Sequence, residues 1–114
     1  MIYTSEHKIN VRTIRNLRDG EGLTLRHRRP VTYKTGWQVA THGVECTTPE
    51  EVAKLIRTAE YAEACGIWLD NGIYYVDHSI RVATKHAAVE LGRQCNQLSI
   101  FGWARKPDNA LEWL

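Results

Sequence analysis

The chain has 114 residues, 43% of them hydrophobic and 25% charged, with a formal net charge of +2. That length predicts one domain around one core, and no run approaches the roughly 20 apolar residues of a membrane span. The opening MIYTSEHKIN lacks the apolar stretch of an export signal, so the odd set of cysteines, Cys46, Cys65 and Cys95, reads as reduced thiols of a cytoplasmic protein.

In chain order, Ile9 to Leu17 is expected to form a short helix: Asn10 suits the N-cap, and Val11, Ile14 and Leu17 recur at helical spacing. Asp19-Gly20-Glu21-Gly22 ends it, with Gly20 suited to the left-handed residue after a helix. Leu23 to Arg28 reads as a strand, Arg29-Pro30 as a turn because proline lacks an N–H, and Val31 to Thr41 as a long second strand with a bulge or bend at Gly36. These segments predict a hairpin with Arg28 and Arg29 at its tip.

Thr47-Thr48-Pro49-Glu50-Glu51 is the clearest helix start: Thr48 caps, proline takes the first helical position and Glu51 completes a capping box. The helix is expected to run to about Ala64, with Val52, Leu55, Ile56, Ala59 and Ala62 inward and Lys54, Arg57, Glu60 and Glu63 in water. Ile67-Trp68-Leu69 and Ile73 to Val76 then flank Asn71-Gly72, the pair favoured in a type I′ hairpin turn. A short extended piece at Ile80 to Ala83 and a second helix from Thr84 to about Cys95 follow, the helix with Ala87, Ala88, Leu91 and Cys95 inward. Gly92 within it costs about 1 kcal/mol against alanine and predicts close packing on a strand. Leu98 to Trp103 reads as a strand, Pro107 to Asn109 as a turn and Ala110 to Leu114 as an edge strand. The order predicts an α+β domain: an antiparallel or mixed sheet packed by two main helices, with a short N-terminal helix.

No catalytic or metal-binding signature is present. Zinc sites use close ligand pairs, and the nearest approximation, His42-x₃-Cys46, has no second pair, so neither metal nor cofactor is expected. Asp77-His78-Ser79 holds the residue types of a hydrolase triad, but neighbours on a strand point to opposite faces and cannot form a relay. Cys46 lies just before a helix start, where a thiolate gains stability, without an assignable histidine or asparagine. The glycines match no phosphate loop, and Glu60 and Glu63 read as a solvated face.

Charge is uneven along the chain. Residues 1–34 hold eight basic and three acidic side chains, and residues 35–114 hold seven basic and ten acidic. Within the basic end, Arg26, His27, Arg28 and Arg29 with Tyr33, Lys34 and Trp37 mix cations with aromatic rings, a pattern able to meet a phosphate backbone or an acidic protein surface. A solvated face that aids solubility is the alternative. Tyr74 and Tyr75, consecutive on a strand, are further candidates because they face opposite sides. With Trp37, Trp68, Trp103 and Trp113 the rings are many for a small core. Either some lie on an uncovered sheet face, as an interaction surface or homodimer interface, or a third layer or the N-terminal helix covers them.

The segments Lys34-Thr35-Gly36-Trp37-Gln38-Val39, Gly66-Ile67-Trp68, Tyr75-Val76-Asp77, Ala87 to Gly92 and Asn96-Gln97-Leu98-Ser99-Ile100 together resemble a pattern of small proteins carried by bacteriophages and integrative elements. The resemblance spans residues 34–103. It implies a mobile-element accessory protein, with anti-defence proteins such as anti-CRISPRs as one class, and brings no catalytic residue with it. The expected function is therefore that of a non-enzymatic binding protein that blocks a host defence complex, a protein or protein–nucleic-acid assembly, or sequesters its signal. The alternatives are a nucleic-acid-binding accessory factor and an enzyme of unrecognised type.

Overall fold

The computed structural model of the protein describes residues 2–4 and 7–114. Asn10 caps helix α1 (Val11–Arg15), its side-chain oxygen accepting from the Thr13 N–H at 3.1 Å. After Gly20, at φ +86°, the chain enters β2 (Gly22–Arg26) and β3 (Arg29–Tyr33). The hairpin tip is His27-Arg28, not the expected Arg28-Arg29. Both tip residues take left-handed φ, 52° and 64°, the type I′ geometry whose twist matches the flanking strands. Arg29 is the first residue of β3 and pairs with Arg26, while Pro30 pairs with Leu25.

The long strand expected from Val31 to Thr41 is two strands. Gly36, at φ +92°, turns the chain, and β4 (Trp37–Cys46) crosses to the other half of the sheet. The helix expected to reach Ala64 is likewise two, α2 (Pro49–Ile56) and α3 (Ala59–Glu63). Its start is as read: Thr48 Oγ1 accepts from the Glu51 N–H at 3.2 Å. It breaks because Thr58 is extended, its hydroxyl donating to the Leu55 carbonyl at 2.9 Å. The break redirects α3, so that Tyr61 is buried while Ala59 is exposed.

Next come β5 (Cys65–Asp70), β6 (Ile73–Val82), α4 (Lys85–Gln94), β7 (Ser99–Gly102) and β8 (Leu111–Trp113), with β1 (Ile2–Thr4) at the start of the chain. Asn71 and Gly72 make the expected turn at φ 51° and 78°. The piece from Ile80 onward is not separate but the continuation of β6. Among the described residues, seven antiparallel strands form the sheet and the short β1 pairs antiparallel with β3 at its edge, giving the order β1-β3-β2-β5-β6-β4-β7-β8. This is a single α+β domain with two main helices, α2 and α4, and a short N-terminal one.

Side chains alternate along β6. Tyr74 and Val76 join a core with Ile14, Val52, Ile56 and Tyr61 of the first three helices, and Val82 joins a second core with Val39, Ile100 and Ala88 of α4. Both cores therefore lie on one sheet face. Gly92 is buried, and a Cβ there would lie 2.6 Å from Leu114 Cδ1 and 3.2 Å from Ile100 Cγ2, which is the close strand packing expected of it. Ala87, expected inward, is exposed. Residues 73, 75, 77, 79 and 81 of β6 fall on the opposite face. There the sheet curls, and Tyr33 at the end of β3 meets Trp103 just past β7 with ring centroids 5.4 Å apart.

Candidate functional site

The β2–β3 hairpin and the far end of β6 enclose a groove of about 330 Å³ lined by Arg26, Tyr33, Gln38, Glu63 and Arg81 among others. Arg81 is the organising residue. Its guanidinium donates to the Thr35 carbonyl at 2.9 Å and to Thr35 Oγ1 at 3.0 Å, and it lies over the Tyr33 ring at 5.1 Å. Gln38 links the floor, donating to Ser79 Oγ and accepting from Trp103 Nε1, both at 3.0 Å. Each buried polar atom is thereby satisfied, which fixes the groove wall.

The helix-free face carries a second arrangement. Strand register places Trp68, Tyr75 and Glu45 in one row across β5, β6 and β4, and Gly66, Asp77 and Gly43 in the next. Trp68 is 49% exposed, and its ring centroid lies 6.0 Å from that of Tyr75. Asp77 projects between two glycines, and the Gly66 N–H donates to its carboxylate. Burial pushes this carboxyl up to about 6, against the opposing pull of that hydrogen bond and of His42.

A bulge in β4 between Ala40 and His42 leaves Thr41 as the extra residue and stacks His42 on His78, with ring centroids 5.3 Å apart. Thr41 Oγ1 lies 3.2 Å from the His78 carbonyl, 3.0 Å from His42 Nδ1 and 3.1 Å from His78 Nδ1. The hydroxyl has one proton for three contacts, so at least one imidazole Nδ1 donates to the threonine oxygen. The hydroxyl is thus a latch across the bulge, joining both imidazoles and the His78 carbonyl. Tyr61 packs edge-on to both rings, and His42 Nε2 contacts Glu60.

The residues of the apparent triad separate as expected: Asp77 is held between glycines, His78 stacks on His42, and Ser79 is buried against Gln38. Cys46 is not activated by the helix that follows it; burial, reinforced by Glu51, raises its thiol. Burial raises Cys65 as well. Among the described residues, no group of three or more His, Cys, Asp or Glu side chains has the arrangement to hold a metal ion, and no helix is long and apolar enough to cross a membrane.

Of the residues singled out from sequence, Arg26 and Tyr33 converge on the groove, His27 and Lys34 are exposed, and Arg28 and Arg29 are half-buried beside it in the chain. Trp37 turns away, packing on the α4 core with Arg105 at 4.9 Å over its ring. Tyr74 is 7% exposed, a core residue on the helix-covered face rather than part of an open surface. Tyr75 lies on the helix-free face, half-buried against Trp68. Sequence reading missed Arg81, Asp77 with its flanking glycines, and the Thr41–His42–His78 latch. Each is made by cross-strand register between distant segments, and only the Asn71-Gly72 turn, which fixes the β5–β6 register, signalled the pairing of Gly66 with Asp77. No family model matches the chain, and neither the curated proteins nor the solved structures contain a match to it.

Proposed function

We propose that the chain is a non-enzymatic binding protein of a mobile element that blocks a host defence complex, with the β2–β3 hairpin as its contact element. The observation that carries this reading is the conformation of the tip. The other two-residue turn uses Asn71-Gly72, residues that tolerate left-handed φ. At the β2–β3 tip the same conformation is imposed on His27 and Arg28, where a side chain costs roughly 1–2 kcal/mol per residue. Such local strain collects where side chains serve contact rather than folding. Arg26 stands exposed beside the tip and Lys34 past the far end of β3, and Arg81 extends the positive surface into the groove. The resemblance of residues 34–103 to small mobile-element proteins supplies the class of partner. The test is association with a panel of purified CRISPR and other defence effector complexes, together with defence activity in cells. Binding accompanied by lost defence supports the reading; absent binding with normal defence removes it.

A second reading, a nucleic-acid accessory factor, draws on the alternation of Arg26, Tyr33 and Arg81 along one groove. It requires affinity for DNA or RNA that falls steeply with salt, by a slope of about 0.9 per phosphate neutralised on duplex DNA. Gel shifts that are absent or independent of salt exclude it.

A further inference from the structure

The lower half of β4 is an open sheet edge. On its β7 side, β4 is registered only at Trp37 and Gln38, and among the described residues no other strand pairs with Ala40 to Cys46 there. His42, Gly43, Val44 and Glu45 are all exposed, Val44 at 46%. Along this edge runs a groove of about 330 Å³ bounded by β4 on one side and Gln97 on the other, with Tyr75 and Asp77 reached across Gly43. No lysine or arginine lines it. Exposed edges of this kind are commonly guarded by inward charge or by brevity; this one carries an acidic groove instead.

We propose that this edge accepts an extended peptide segment of a partner protein as an added strand, with an arginine or lysine of that segment reaching across Gly43 to the Asp77 carboxylate. A strand added at the usual spacing of about 4.8 Å places its residue opposite Gly43 two strand spacings from β6. A long cationic side chain spans that distance only over a position with no side chain, and Gly43 is that position. Glu45, next but one along the same face, supplies a second negative charge, and the Tyr75 ring offers its face to the cation's stem. The main chain gives affinity along the edge, and the basic residue gives register. This deepens the reading of the chain as a binding protein, and it uses a surface separate from the β2–β3 hairpin.

The test selects displayed random heptapeptides on the full chain and maps the winners by amide shifts. Recovered sequences are expected to share one arginine or lysine flanked by β-branched residues, and to perturb the amides of residues 41–45 and of Gly66. Glu45→Lys, an exposed change that leaves the fold intact, weakens their binding at least tenfold, as does Asp77→Asn. Winners without a basic residue, winners mapping elsewhere, or affinity unchanged by Glu45→Lys overturn the proposal. So does strong exchange protection of the outward amides of 41–45 in the isolated protein, which would mean that a second copy or another segment already pairs there. Binding to a defence complex that is lost on replacing the hairpin arginines and kept with Glu45→Lys would leave the proposed function standing while this inference fails.

Discussion

The carboxylate of Asp77 occupies the space a side chain on Gly66 would need: a Cβ there would lie 2.7 Å from Oδ1. The two residues are register partners on β6 and β5, so neither can move without disturbing the ladder. Gly66→Ala is expected to destabilise the fold by about 1–3 kcal/mol, the usual range for overpacking. In an Asp77→Ala background most of that loss disappears, and a double-mutant cycle by chemical denaturation reads the coupling.

The same burial sets a pH dependence. Asp77 is raised to about 6 in the fold, against about 3.9 unfolded. Between those values the folded state keeps a proton that the unfolded chain releases, so this group makes stability fall as pH rises from about 4 through 6. The loss amounts to about 3 kcal/mol. Glu50, Glu51 and Glu112 are held low, by the Glu50 backbone N–H and Arg15, by the Thr47 and Thr48 hydroxyls, and by Lys85 and Arg105 respectively. Their stabilisation is lost as pH falls, the opposite sign, and it cancels when wild type is compared with Asp77→Asn. The stability advantage of that variant should grow from pH 4 to pH 7 and then level; a constant difference contradicts the assignment.

The bulge latch makes a third expectation. Thr41→Val keeps the shape and deletes the hydroxyl that both Nδ1 atoms contact. A cost of about 1 kcal/mol is expected from the part-buried contacts to His78 that are lost. Imidazole ¹⁵N spectra should show His78 moving from one tautomer to a mixture; an unchanged tautomer would place the proton elsewhere.

Local signals were legible wherever a residue acts on its own neighbours. The Asn10 and Thr48 caps and the Asn71-Gly72 turn formed where the sequence placed them, and Gly92 packs as closely as its position inside a helix implied. The misreadings arose where tertiary packing overrode periodicity. Val31 to Thr41 is β-prone on both sides of Gly36, where the sequence marked a bulge or bend, and the partners of its two halves, β2 with β1 and β6 with β7, make that bend a full break between strands. Ala59 was read as inward and Tyr61 was given no side, because nothing short of the core shows that Thr58 ends one helix and starts another. The basic hairpin was visible as charge, but its strained tip was not, since positive φ at histidine and arginine has no compositional mark. Asp77 gained its setting from Gly66 and Gly43, 11 and 34 positions away, His42 from His78, 36 away, and Arg81 from Thr35, 46 away.

The hairpin tip is where the account is most directly exposed to measurement. Replacing His27-Arg28 by Asn-Gly relieves the left-handed strain and should raise stability by about 1 kcal/mol or more. Binding of wild type and of His27→Asn/Arg28→Gly to the panel of defence effector complexes, at fixed salt, is the decisive comparison. The account predicts that the variant melts at a higher temperature yet binds at least tenfold more weakly than wild type. A variant that is more stable and binds as well as the natural sequence, or a wild type that binds no member of the panel, would contradict it.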